Sequence, residues 1–388
     1  MEENALGHLR KFVAPEYVFG CGARQLVGRY ARNLGARRVL VVTDEGLIAT
    51  GWADEICRLL TEEGLEYTRF SEITPNPKDH EVAAGVEVYR KEDCNAIVAL
   101  GGGSPMDCAK GIGILSTNEG SIYDFEGVDQ VSVPCPPLIF IPSTAGTAAD
   151  ISQFAIVTHA AEKYKMAIIS KAVVPDVSLT DPEVTLTMDC ELTACTGLDA
   201  LTHAIEALVS NANSPITDLH ALDAIRLISA HLLPVLNKLD DMEHRTGMML
   251  ASLQAGLAFS NASLGAVHAM AHSLGGLKDL PHGECNAILL PYVVDFNFEM
   301  AREGYEKMGA ALGLDLVGQA PAQRRETIVG ALLRLQKEAG IDGGLTRLGV
   351  TPDDIAELAR RATQDACLVT NPRPAEQHDL EAIYERAA

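Results

Sequence analysis

The chain has 388 residues, 47% hydrophobic and 22% charged, the balance of a packed globular protein and not of a disordered one. Its formal net charge of −22 argues against nucleic acid and anionic membrane surfaces as partners. No apolar run reaches the roughly 18 residues of a membrane span, and the length predicts two domains.

The acidic, polar start Met1-Glu2-Glu3-Asn4 has no signal-like pattern, and the nine cysteines are scattered as singles with no CxxC. Both point to reduced thiols and a cytoplasmic location. Residues 38–44 outline a buried strand, followed by an amphipathic helical stretch over 53–63. A second short strand spans 67–70, helical spacing returns over 79–91, and residues 96–100 form the next strand. Residues 106–115 read as a helix and 138–142 as another strand. Strands alternating with helices of this length imply βαβ units and a parallel sheet. From Glu183 onward long helical patterns dominate (199–210, 214–230 and 245–261) with no clear strand. The expected fold is therefore an α/β N-terminal domain with a parallel sheet, residues 1–183, and an all-α C-terminal domain, residues 184–388. The chemistry-bearing residues below make the first the candidate dinucleotide-binding domain and the second the candidate metal-binding domain.

Three segments of the first half carry chemistry. Gly101-Gly102-Gly103-Ser104-Pro105 lies between a strand and a helix. Glycines there let backbone approach a phosphate, and the helix N-terminus offers free N–H groups; a tight turn would use the same residues. Asp44, at the end of the first strand, can accept hydrogen bonds from an adenosine ribose and repel a 2′-phosphate, favouring NAD over NADP; as a plain residue it is equally a helix N-cap. Pro142-Ser143-Thr144-Ala145-Gly146-Thr147 puts hydroxyls on a loop after a strand, to bind phosphate or nicotinamide or to cap a turn. The G-x-G-x-x-G fingerprint is absent.

The second half holds the densest signal. Of 11 histidines, His203 follows Asp199 by four residues, His268 and His272 are four apart, and His282 comes ten later. On a helix starting after Gly197, Asp199 and His203 share a face. With His268 and His282 they can complete a three-His, one-Asp shell, a donor set suited to ferrous iron or zinc. The plain reading of either pair is an exposed Asp or a half-buried His.

Together these segments resemble the iron-containing (group III) alcohol dehydrogenase family across almost the whole chain. The marks are Gly101 through Asp107, Ile141 through Thr147, Gly197 through Glu206, His268-Ala269-Met270-Ala271-His272, and Pro281-His282-Gly283. The resemblance implies a Rossmann-like NAD domain, a helical domain, and an active site in the cleft between them. It makes Asp199, His203, His268 and His282 the ligands of Fe2+ or Zn2+, and places His272 near nicotinamide and substrate. It places Asp44, Asn76, Gly102, Gly103, Ser104, Ser143, Thr144, Thr147, Ser152, Phe154 and Lys165 against NAD. Two departures occur: Ala148-Ala149 stands where many members have Gly-Ser, and Ser143 replaces a common Thr.

The expected reaction is reversible, NAD-dependent hydride transfer between a short primary alcohol or diol and its aldehyde, with His272 as proton relay or as a merely structural histidine. A homo-oligomer is expected. A glycerol dehydrogenase-like polyol oxidoreductase, a dehydroquinate synthase-like enzyme and a regulatory homologue with little turnover are the competing readings.

Overall fold

The computed structural model describes residues 10–388; the acidic start, residues 1–4, lies outside them. It divides into two compact units, Val13–Met188 and Asp189–Ala388, the latter joined by residues 10–12. The sequence places the change of texture after residue 183, and the first unit runs five residues further. The reason is local: the turn Pro182–Thr187 buries Val184 among the side chains of the sheet. Residues 10–12 leave the first unit because Arg10 Nε donates to the Asn213 carbonyl (3.4 Å) and Phe12 stacks on His220.

In the first unit the chain runs β1 (Glu16–Phe19), α1 (Val27–Asn33), β2 (Arg38–Val42), α2 (Glu45–Thr50), α3 (Trp52–Glu62) and β3 (Glu66–Phe70). There follow α4 (Asp79–Lys91), β4 (Ala96–Gly101), α5 (Gly103–Thr117), β5 (Gly127–Val128), β6 (Leu138–Pro142), β7 (Phe154–His159), β8 (Tyr164–Ile169) and β9 (Val177–Thr180). Six strands form one parallel sheet in the order β1-β9-β6-β4-β2-β3. Period-two alternation explains why its central strands are apolar throughout. Leu40, Val42, Ile97, Ala99, Leu138 and Phe140 enter the core on one face. Val39, Val41, Ala96, Val98, Leu100, Ile139 and Ile141 enter the core on the other. A smaller sheet, β5-β8-β7, carries an antiparallel hairpin of β7 and β8.

The strand order reverses between β2 and β4: the chain goes outward to β3 on one side and through β6 and β9 on the other. In open α/β sheets a ligand site lies at such a reversal, beyond the carboxyl ends of the strands. Val42 pairs with Ala99, so Asp44 after β2 and Gly101–Gly103 after β4 both lie at that end.

The second unit is helical: α6 (Cys190–Val209), α7 (Pro215–Asn237), α8 (Met242–Ala262), α9 (Ala266–Lys278) and α10 (His282–Asn297). Then come α11 (Arg302–Ala311), α12 (Pro321–Glu338), α13 (Pro352–Ala362) and α14 (Gln377–Ala387). By length and a mean hydropathy of 1.4, α7 could cross a membrane. It buries Ala221, Ala224, Ile225, Ile228, Leu232 and Val235 at helical spacing, the stripe of a bundle helix.

The helix expected to begin after Gly197 begins seven residues before it. Cys190 is its first residue, and the Asp189 side chain caps it by accepting the Leu192 N–H at 2.8 Å. Gly197 is a packing residue instead: a Cβ there would stand 2.5 Å from Leu232 Cδ1.

Candidate metal centre and dinucleotide loop

Three helices build the centre. On α6, Asp199, His203 and Glu206 recur at four and three residues and share one face. On α9, His268 and His272 are one turn apart, and on α10 His282 and Asn286 are likewise. Apart from His282, these side chains are at most 6% exposed.

Asp199 Oδ1 is the convergence point. His203 Nε2 lies 4.0 Å from it, His268 Nε2 3.8 Å and His282 Nε2 3.9 Å. Ligands about 2.0–2.1 Å from one tetrahedral ion stand roughly 3.4 Å apart, so these three Asp–His separations are a few tenths of an ångström wider than in a filled shell. The donor atoms of Asp199, His268 and His282 all lie within 4.8 Å of one another, a set that does not include His203, whose 4.0 Å approach is to Asp199. The rings stack as they converge: His203 on His268 with centroids 4.5 Å apart, and His203 on Phe259 at 4.3 Å. Three imidazoles and one carboxylate, all nitrogen and oxygen donors, fit a divalent iron or zinc ion.

Glu206 sets the direction of His268. Its Oε2 lies 2.6 Å from His268 Nδ1, and its Oε1 accepts the Val267 N–H at 2.7 Å. Burial pushes this carboxyl up to about 7, against the hydrogen bonds from Val267 and Gly265. One proton shared on the Nδ1 side leaves the Nε2 lone pair facing Asp199, the usual outer support of a metal-binding histidine.

His272 is held differently. Its Nδ1 lies 2.8 Å from Asp365 Oδ2, and its ring stacks on His282 at 5.4 Å. Asp365 Oδ1 accepts the Cys367 N–H at 2.8 Å. Burial alone would raise the Asp365 carboxyl; His272 and Cys367 outweigh it and hold the group below the ordinary carboxylate range. Asp365 is thus a buried anion that keeps the Nδ1–H tautomer and leaves Nε2 as acceptor. His272, Asp365 and Cys367 also stand close together, and burial and then Asp365 push the Cys367 thiol well up.

The α10 end of the centre depends on Gly283. A Cβ there would meet the Cys195 carbonyl oxygen of α6 at 2.7 Å, and backbone cannot swing aside. Gly283→Ala is therefore expected to shift the turn carrying His282 and to weaken retention of the metal about tenfold, read as metal content after a fixed exposure to chelator. Unchanged retention would show that the α6–α10 approach does not set the site.

In the first unit, the two predicted loops pack on each other. A Cβ at Gly102 would lie 3.1 Å from Thr144 Cγ2, and one at Gly103 would lie 3.2 Å from Thr147 Cγ2. Gly101 O accepts the Ser143 N–H at 2.9 Å, which ties the loop after β6 to the loop after β4. Gly102 caps α5 with no side chain, and Ser104 sits in the first turn, so the N–H groups of a 15-residue helix are left for a ligand. Asp44 is the N-cap of α2, its Oδ1 accepting the Leu47 N–H at 3.0 Å. Asn76 adopts a left-handed backbone (φ 55°), and its carbonyl accepts from Thr158 Oγ1, whose cross-strand partner is Lys165. Ala148 is also left-handed, at φ 47°, so the departure from a common Gly places a side chain where glycine is easiest.

Lys110 was invisible as a functional residue in the sequence. Fully buried on α5, its Nζ donates to the Ser152 carbonyl (3.1 Å), Ser152 Oγ (3.4 Å) and the Phe154 carbonyl (2.5 Å). Burial lowers its pKa to about 8 against the pull of Asp107 and Asp150. It pins the segment bearing two predicted cofactor contacts. Glu206 was findable, since it lies on the Asp199 face; Asp365 was not, lying 93 residues from His272 with no shared motif.

A glycine loop at the reversal of a parallel sheet and a cluster of buried histidines and carboxylates in a helical unit are the two features set against known proteins. Residues 14–182 match the iron-containing alcohol dehydrogenase family, and residues 193–388 match the Fe-containing alcohol dehydrogenase family, C-terminal. The chain belongs to the iron-containing alcohol dehydrogenase family. It is 40% identical over 371 residues to a 1,3-propanediol dehydrogenase of Klebsiella pneumoniae, covering 95% of this chain and 96% of that protein. It is 38% identical over 376 residues to an NAD-dependent methanol dehydrogenase of Bacillus methanolicus, covering 97% and 99%. The crystal structure of a 1,3-propanediol oxidoreductase superposes with a TM-score of 0.95 at 39% identity, covering 98% of this chain and all of that one.

Proposed function

We propose that this chain interconverts a short primary alcohol or diol and its aldehyde with NAD, using a divalent metal, iron before zinc, held by Asp199, His203, His268 and His282. The observation that carries this is the approach of three imidazole Nε2 atoms to within 4.0 Å of one Asp199 oxygen. The propanediol and methanol dehydrogenases among the relatives support short alcohols as the substrate class. The nine free cysteines support a reducing, cytoplasmic setting.

The bound ion would supply Lewis acidity to the substrate oxygen, and NAD would accept the hydride. The residues do the rest. His272 Nε2 takes the hydroxyl proton as the alcohol is oxidised and returns it in the reverse direction, while Asp365 balances the charge on the ring. Gly102, Gly103 and Ser104 present backbone to the pyrophosphate; Ser143, Thr144 and Thr147 line the same loop pair. Ser152 and Phe154, fixed by Lys110, together with Lys165 on β8 and Asn76 before α4, complete the cofactor contacts. Asp44 meets the ribose with the carboxylate oxygen that α2 does not use.

The test is NADH formation at 340 nm from methanol, ethanol, 1-propanol and 1,3-propanediol, run with NAD and NADP. Turnover with NAD, lowered preference for NAD over NADP in Asp44→Ser, and loss of turnover on chelation are expected. A metal-loaded chain that turns over none of these alcohols would sink the reading and favour a regulatory homologue.

A further inference from the structure

The centre contains one more polar side chain than the reaction has used. Asn286 is fully buried on α10, one turn beyond His282. Its Nδ2 lies 2.6 Å from Asp199 Oδ1, 3.1 Å from His282 Nε2 and 3.2 Å from His268 Nε2. These are the atoms assigned above to the ion, and the amide end is equidistant from the two imidazoles and close to the carboxylate. Its other end, Oδ1, is buried with no hydrogen-bond partner among the described residues.

An amide offers two unlike ends on one planar group. The N–H end cannot ligate a cation; the carbonyl end can, as asparagine carbonyls do for hard divalent ions. The two ends exchange by a half-turn about χ2, which moves no other atom of the side chain. A buried carbonyl without a partner costs about 1–3 kcal/mol. The present orientation is held from the Nδ2 end alone, by Asp199 and the two imidazoles, and those three groups turn to the ion when it is bound. The turned amide brings that oxygen to the point where Asp199, His268 and His282 converge. Apolar residues at such a place would have closed the centre at four ligands.

From this geometry we infer that Asn286 is a further oxygen ligand of the divalent ion, through Oδ1, making a five-donor set of three imidazoles, one carboxylate and one amide. The inference rests on the metal-centre reading above. It gives the site a harder character than three imidazoles and one carboxylate alone, and a donor that leaves by a single torsion when the substrate oxygen arrives. Asn286 is thus placed to hold the ion between turnovers.

The experiment loads full-length wild type, Asn286→Leu, Asn286→Ala and Asn286→Asp with Co2+. Affinity is measured by competition with a chromophoric chelator, and the visible d–d spectrum is recorded on the same samples. Asn286→Leu, near in volume but without either polar end, is expected to bind Co2+ about 10–100-fold more weakly. Its visible bands should strengthen, as they do when coordination falls from five to four. Asn286→Ala guards against a packing fault in the leucine variant and should behave alike. Asn286→Asp, which keeps an oxygen donor, should restore affinity and weak bands. Wild-type affinity in the leucine and alanine variants overturns the inference. So does weaker binding with an unchanged spectrum, which would make Asn286 a support for the other ligands only. Failure of the wild type to bind Co2+ at all would instead overturn the metal-centre reading on which this rests.

Discussion

His268→Ala is expected to lose the bound metal and with it alcohol oxidation, by a factor on the order of 10³ in turnover. Two roles end with this ring: Nε2 is 3.8 Å from Asp199 Oδ1, and Nδ1 is 2.6 Å from Glu206 Oε2. Lewis-acid stabilisation of the substrate oxygen is worth several kcal/mol, and each 1.4 kcal/mol is about tenfold in rate. The stability cost is smaller. Glu206 loses its partner in a buried place, a penalty of about 1–3 kcal/mol, but its carboxyl is already pushed up to about 7 and can take a proton. In a unit of this size each kcal/mol lowers Tm by about 2–4 °C, so the variant stays folded at room temperature. Metal content by elemental analysis, NADH formation and a thermal melt on one preparation separate these effects. Full metal content with turnover near wild type would remove His268 from the ligand set.

The same residues show how far a sequence can be read and where reading stops. The α4 and β6 bounds, residues 79–91 and 138–142, were legible because helical periodicity and an unbroken apolar run respectively are local signals. β9 was not, because its run is broken by Ser178 and Thr180. Those hydroxyls are buried and satisfied, Ser178 Oγ donating to Asp150 Oδ2 at 2.6 Å, a partner 28 residues away that no window contains. β1 is a four-residue edge strand, partly exposed on both faces, with too little burial to leave a pattern.

In the metal centre, the histidines stood out because four-residue spacing on a helix is visible in the chain. Asn286 has that same spacing from His282 but belongs to a residue type that seldom signals a metal. Asp365 and Lys110 act across long sequence separations, through a single hydrogen bond in one case and a set of backbone acceptors in the other. The start of α6 was misplaced because Gly197 looked like a boundary. A glycine required for close approach to Leu232 carries the same letter as one required for a turn.

Asp365→Asn tests the proton relay without touching the metal ligands. In the wild type the carboxylate accepts from His272 Nδ1 at 2.8 Å, so the opposite nitrogen is free to take a proton. Asparagine at that position offers an N–H to Nδ1 as readily as a carbonyl, and the tautomer with the proton on Nε2 then becomes populated; that form cannot accept the alcohol proton. General-base catalysis is worth about 10²–10⁴-fold, and a loss in kcat of that order is expected, with metal content and the KM for NAD unchanged. The stability effect has a definite sign. The Asp365 carboxyl is lowered in the folded chain, so the stability it contributes is present above its unfolded pKa of about 3.9 and is lost as pH falls through the lower folded value. Wild type should melt above the variant at pH 7, and the gap should narrow below about pH 4. A kcat within twofold of wild type would leave His272 a structural histidine, as its plain reading had it. A fall in kcat accompanied by loss of metal would mean instead that Asp365 holds the His272–His282 stack in place, and the proton would have to leave by another route.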